Sequence, residues 1–274
     1  MDSEIALYAI KEVSEMTGVN SVTLRAWQRR YGLLNPQRTE QGHRLYSDVD
    51  IETIRQILGW LDKGVAISKV RPLLEGNTEL ADNPDSDASS QAAVDQLLQS
   101  LVALDAQALD RQVSQLMKEY PLDRFSEHIA AVVQANIHRS ENPLAGVQSA
   151  LWRSVIRERC LSLVAGLRKR NRKPCLLLGF DSVPENGVWL TLLALSEQGY
   201  NVTLLTSVDG KLSALSALLK SWQERLIVVT GEYKLDRDVA KQLGQLVAET
   251  NSELKLAGSI SAIHPELTEL CHES

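Results

Sequence analysis

Groups able to donate hydrogen bonds to nucleic acid crowd one short segment of this chain. Between positions 20 and 46 stand Asn20, Ser21, Thr23, Arg25, Gln28, Arg29, Arg30, Arg38, His43 and Arg44, with Trp27, Tyr31 and Tyr46 among them. A guanidinium group meets phosphate or a guanine edge through paired N–H donors, and Asn, Gln, Ser and Thr add shorter donors and acceptors. Five Lys or Arg residues face a single acid there, Glu40, although the whole chain carries a net charge of −6. An acidic protein binds a polyanion only where its positive charge is concentrated, because phosphate neutralisation and counterion release supply most of the affinity.

Such groups need elements to present them. Two short helical patterns meet at Gly18-Val19-Asn20, and the second runs through Arg25 and Arg29 to a stop at Gly32. That layout is a helix-turn-helix. Val22, Leu24 and Trp27 can anchor one face of the second helix while Thr23, Arg25, Gln28 and Arg29 take the other. Beyond it, Pro36 to Tyr46 has turn chemistry at Gln41-Gly42 between short extended segments, which predicts a two-stranded hairpin, a wing setting Arg38, His43, Arg44 and Tyr46 against the DNA backbone. Ser47 is placed to cap the next helix. Plainer roles compete: Trp27 and Tyr31 also suit the core of a small domain, and Arg30 a solvated helix surface. His43 has no second His or Cys at ligating distance in sequence, so it is read as a wing residue rather than a metal ligand.

Residues 8 to 76 closely resemble the winged helix-turn-helix domain of MerR-type transcriptional regulators. Thr23-Leu24-Arg25, Tyr31-Gly-Leu-Leu34, Arg38-Thr39, Gly42-His-Arg-Leu-Tyr46 and Asp50-Ile51 fall in that family's order and spacing. Ala26-Trp27-Gln28-Arg29-Arg30-Tyr31 resembles the MlrA-like subgroup, to which the CarH-type photoreceptors are related. The resemblance implies double-stranded promoter DNA as a partner, a homodimer addressing two half-sites, and activation of RNA polymerase by distorting the promoter. Direct repression stays open. Metal-sensing members carry closely placed cysteines near their dimerisation helix, and this chain has none there.

The remaining sequence gives room for further domains. At 274 residues the chain is long enough for two or three cores, and its 44% apolar content fits a folded protein. It has neither a run of the roughly 18 apolar residues that span a bilayer nor a signal-peptide layout, so a cytoplasmic location is expected. Cys160, Cys175 and Cys271 are widely separated and read as reduced thiols. The expected division is a DNA-binding domain at 1–76, an acidic flexible linker at 77–90, a helical bundle at 91–173 and an α/β unit at 174–274. Apolar spacing predicts four helices, at about 91–103, 105–119, 121–138 and 143–169, packed as a four-helix bundle. Extended apolar runs at 175–179, 202–206, 226–230 and 254–259 then alternate with helical stretches at 186–198, 211–223 and 235–249, which predicts a Rossmann-like parallel sheet. The fold class is thus mainly α with a C-terminal α/β unit.

A bundle followed by such a sheet is similar to the cobalamin-binding region of CarH-type regulators. Their lower-ligand motif, Asp-x-His-x-x-Gly or a near variant, falls in register on Ser182-Val-Pro184-Glu-Asn-Gly187, and proline cannot ligate cobalt. Their Trp-x9-Glu-His motif is matched by Met117 with Glu127-His128, which keeps the acid and imidazole and loses the indole. No bound cofactor is therefore expected. The C-terminal region is expected to serve dimerisation, an unidentified effector or a protein partner. Two other readings remain: a cobalamin-dependent light-sensing repressor, and a small-molecule enzyme fused to a DNA-binding head. Asp181 and Glu185 lie at the expected cleft, but neither a phosphate-binding glycine motif nor a metal-ligand cluster accompanies them.

Overall fold

The computed structural model describes residues 7–76, 87–139, 141–183, 185–207, 226–250 and 252–270, with Leu212, Leu215 and Leu219. Contacts divide the chain into two compact units, Met1–Trp152 and Arg153–Ser274.

The first unit opens with strand β1 (Leu7–Ala9), helix α1 (Ile10–Thr17) and helix α2 (Ser21–Ala26), which runs on into a wider π-turn at Trp27–Tyr31. Gly18 ends α1 at φ +72°, a left-handed conformation that only glycine adopts without strain, and its N–H reaches the Ser14 carbonyl at 3.0 Å. Asn20 then caps α2: its Oδ1 accepts from the Val22 and Thr23 N–H groups at 3.0 and 2.9 Å. Strands β2 (Gln37–Arg38) and β3 (Arg44–Ser47) form the predicted hairpin, and β1 joins it to give a three-stranded sheet ordered β1-β3-β2. The hairpin expectation was therefore one strand short. Leu7–Ala9 is too brief to show an alternating pattern, and it is fixed by antiparallel pairing of Tyr8 with Tyr46.

Helix α3 (Asp48–Asp62) begins as read, with Ser47 Oγ accepting from Asp50 N–H and Asp50 answering at the Ser47 N–H. Helix α4 (Ile67–Leu74) follows, and then α5 (Asp87–Val102), α6 (Ala106–Glu119), α7 (Leu122–Phe125), a second π-turn (Ser126–Ala130), α8 (Ala131–Ile137) and the long α9 (Ala145–Arg168). Helix α5 starts within the acidic segment expected to be linker, and residues 77–86 of that segment lie outside the described residues. Leu97, Leu101, Leu109, Val113, Phe125, Ile129 and Val133 are fully buried, one apolar stripe per helix turned inward.

The second unit holds the last part of α9 and a four-stranded parallel sheet ordered β5-β4-β6-β7. Its strands are β4 (Lys173–Gly179), β5 (Tyr200–Leu205), β6 (Leu226–Thr230) and β7 (Glu253–Ala257), with helices α10 (Asn186–Glu197), α11 (Arg237–Thr250), α12 (Ile260–Ile263) and α13 (Pro265–Leu270). β4 and β6 are buried along nearly their whole length, which explains their unbroken apolar runs. Asn171 Nδ2 donates to the Ser196 and Tyr200 carbonyls at 2.7 and 2.8 Å, tying the entry of β4 to the turn between α10 and β5. The helix expected at 211–223 lies outside the described residues except for three leucines. Two of these, Leu212 and Leu219, pack with Ile227, Val229, Leu243 and Leu254 in one core.

Candidate nucleic-acid interface

Helix α2 is held by its buried side and displays the rest. Val13, Val19, Leu24 and Trp27 are completely buried beneath it. Ser21, Val22, Arg25, Gln28 and Arg29 are exposed or partly exposed. Arg25 Nη1 lies 3.5 Å from Ser21 Oγ one turn earlier, an alignment that keeps the guanidinium along the outer face. The wing is fastened to this helix: Arg44 Nε donates to Gln28 Oε1 at 2.6 Å. At its tip the Thr39 N–H meets the His43 carbonyl at 2.9 Å, and Gly42, at φ +81°, makes the turn that leaves Arg38 and His43 in solvent. Arg25 and Arg44 converge. Both cations lower the proton affinity of the Tyr46 phenol, which burial raises above its ordinary value.

Several residues expected to touch DNA make contacts within the protein. Thr23, Trp27 and Tyr46 are 0% exposed, so they offer a groove no surface. Asn20 Oδ1 is already occupied by the two capped N–H groups. Trp27 points away from solvent because the indole N–H donates to the Glu119 carbonyl, the last residue of α6, at 2.7 Å. Arg30 Nη1 reaches the Glu119 carboxylate at 3.0 Å, and Gln115 of α6 donates to the same carboxylate oxygen. Tyr31 is half-buried with its hydroxyl on Glu119, and burial followed by that acid pushes its pKa well above the usual phenol range. Burial also raises the Glu119 pKa, against the opposite pull of Tyr31 and Arg30. A second tie lies nearby, where Arg124 donates to both carboxylate oxygens of Asp62, at 2.8 and 3.1 Å.

Glu119 was missed from the sequence, although a signal existed. A carboxylate on the last residue of a helix sits at the negative end of the helix dipole, an arrangement that calls for compensating donors.

Met117 is buried on α6, Glu127 is exposed and His128 is partly exposed in the second π-turn. Pro184 lies outside the described residues. At the carboxyl end of the parallel sheet, Gly187, Gly231 and Gly258 leave space that acid side chains fill. A Cβ on Gly187 or Gly258 would come within 3.3 Å of Glu232 Oε1, and one on Gly231 within 3.2 Å of Asp181 Oδ1. Asp181 accepts from the Glu232 N–H at 3.0 Å, and Ser259 donates to the Glu232 carboxylate. Two carboxylates, those of Asp181 and Glu232, therefore line the cradle among the described residues. Among the described residues no group of three His, Cys, Asp or Glu side chains is placed to hold a metal ion.

Residues 8–77 match the model of the MerR HTH family of regulatory proteins. The HTH-type transcriptional regulator MlrA of Escherichia coli (strain K12) is 31% identical over 240 residues, covering 81% of this chain and 96% of the relative. The chain belongs to the MerR family. It is a DNA-binding transcriptional regulator of the MlrA-like kind. MlrA of Salmonella typhimurium (strain SL1344) is 34% identical over 73% of this chain and 80% of its own length. The HTH-type transcriptional repressor CarH of Myxococcus xanthus is 32% identical over 72% of this chain and 70% of its own. These MerR-family relatives are named as regulators, which sets aside the reading of an enzyme with a DNA-binding head. Among the described residues, no helix is long and apolar enough to cross a membrane.

Proposed function

We propose that this MerR-family regulator works as a cytoplasmic homodimer on double-stranded promoter DNA. Its two heads address half-sites of one operator and activate RNA polymerase by distorting the DNA between them. In this reading Ser21, Arg25, Gln28 and Arg29 enter the major groove, and Arg38, His43 and Arg44 follow the backbone. The observation that carries it is the Arg44–Gln28 hydrogen bond, which fixes wing and helix as one surface with Arg25 and Arg29 on its outer side. The four-part division at residues 76, 90 and 173 is part of the proposal, as are a four-helix-bundle packing for the central helices and a Rossmann-like character for the sheet. The C-terminal region takes an effector other than cobalamin, or a protein partner. The acid-filled glycine cradle supports the exclusion of cobalamin.

A titration of promoter fragments at several salt concentrations tests this, with wild type beside Arg25→Ala and Arg44→Ala. Sequence-selective binding weakened by both substitutions is expected. Each lost phosphate contact should flatten the plot of log affinity against log salt by about 0.9. Selective binding indifferent to both changes would refute the assigned surface.

A further inference from the structure

Three donors from one side of the recognition helix end on a single residue of another helix. The Trp27 indole takes the Glu119 carbonyl at 2.7 Å, Arg30 takes the carboxylate at 3.0 Å, and the Tyr31 hydroxyl faces the same group. The Glu119 side chain is 10% exposed and Arg30's is 48% exposed, so the acid is enclosed while the guanidinium lies at the edge of solvent. Arg30 follows Arg29 by roughly a quarter turn of helix. It therefore stands at the flank between the outward face carrying Arg25 and Arg29 and the buried face carrying Trp27. A strand of DNA lying along the outward face would bring phosphates to that flank. Glu119 presents there what a phosphate presents, an oxyanion accepting from a guanidinium.

We propose that the C-terminal end of α6 is an intramolecular competitor for the DNA-binding head, with Glu119 standing in for a backbone phosphate at Arg30. The interaction surface is the Trp27–Arg30–Tyr31 side of the recognition helix, and its partner is the end of α6 in the same chain. Wherever Arg30 is held by Glu119, it does not neutralise a phosphate, and a buried negative charge lies beside the groove-facing helix. Asp62 and Arg124 supply a second tie that keeps α7 against α3. Two such ties favour a closed arrangement that DNA must open. An effector or partner that draws α6 away would then raise operator affinity without touching DNA. The inference rests on the reading that this head binds promoter DNA through Arg25 and its neighbours.

The test uses the full-length chain and a promoter fragment that wild type binds selectively, titrated over a salt series. Wild type is compared with Glu119→Gln, Arg30→Gln, the double variant, Arg124→Gln and Arg25→Ala, with circular dichroism to confirm folding. Glu119→Gln is expected to bind about tenfold more tightly at low salt, with a slope steeper by about one phosphate equivalent. Arg30→Gln should cost more affinity in the Glu119→Gln background than in wild type, because only there is Arg30 free to meet DNA. A folded Glu119→Gln that binds like wild type or more weakly overturns the competition, as does a gain that survives Arg30→Gln. Should Glu119→Gln fail to fold, Arg124→Gln carries the test: tighter binding supports the competition, and unchanged or weaker binding overturns it. Arg25→Ala separates the two levels. If it binds as wild type does, or if no fragment is bound selectively, the DNA-contact reading fails and the inference falls with it. If it loses binding while Glu119→Gln gains nothing, only the competition fails.

Discussion

Replacing Trp27 by Phe separates a core role from a groove role. The indole is fully buried, and its Nε1–H donates to the Glu119 carbonyl at 2.7 Å. Phe keeps a ring and loses that donor, stranding a buried carbonyl at the end of α6, where the last four carbonyls already lack helical partners. A stranded buried acceptor costs about 1–3 kcal/mol. The smaller ring leaves roughly 40 Å³ unfilled, worth about 1 kcal/mol at the usual cost per unit of cavity volume. Unfolding stability should therefore fall by about 2–4 kcal/mol, provided the site relaxes only in part. Urea unfolding of the full-length chain, followed by circular dichroism, gives the midpoint shift. Hydrogen exchange on peptides covering residues 21–31 and 106–119 assigns the loss to this contact. A loss under about 0.5 kcal/mol, the range of a surface substitution, would refute the sealed geometry.

Burial pushes the Cys160 and Cys175 thiols up to about 12. At pH 8 both should resist iodoacetamide in the folded protein and react only after denaturation; peptide mass mapping showing modification of the native form would count against their burial. Glu119 makes stability depend on pH. Its folded pKa lies above the ordinary 4.5, mainly through burial, so the folded state holds a proton in a window where the unfolded chain has lost it. Its contribution therefore grows as pH falls through the raised pKa toward 4.5, and its ionised form is penalised at neutral pH. Melting temperatures at pH 7, 6 and 5 should show wild type gaining on Glu119→Gln as pH drops. A constant gap, or one moving the other way, would refute the raised value.

Apart from β1, the elements of the DNA-binding head were legible because each has a local cause. Gly18 needs its left-handed conformation, Asn20 and Ser47 need their capping bonds, and Gly42 needs its turn, so each marks a boundary without reference to the rest of the chain. The strands of the C-terminal half and its helices at 186–198 and 235–249 were legible from their period. The partner of the recognition helix was not. Apolar spacing from Val94 to Leu116 announces a buried stripe and does not say against what. A helix packed on its neighbours and a helix sealing Trp27 have the same period. Trp27, Arg30 and Tyr31 looked like groove residues because their types suit DNA. Their types suit a protein contact equally, and the contact with Glu119, 92 residues after Trp27, leaves no trace in the local pattern.

The same contacts limit how much charge the head can offer DNA. Five cations stand between Asn20 and Tyr46. Arg25 leans on the neutral Ser21 hydroxyl and Arg44 on the neutral Gln28 amide, so neither of these bonds sets an acid against the guanidinium. Arg29 and Arg38 are exposed. Among the described residues, Arg30 alone of the five is matched to a carboxylate. Phosphate contacts through the other four guanidinium groups would contribute a salt slope of about −3.6 per protomer. Releasing Glu119 adds a fifth and brings that contribution to about −4.5. Affinity then becomes a readout of one intramolecular ion pair. An acidic chain can in this way regulate a basic surface by lending it an acid from a neighbouring helix, without reshaping the recognition helix itself.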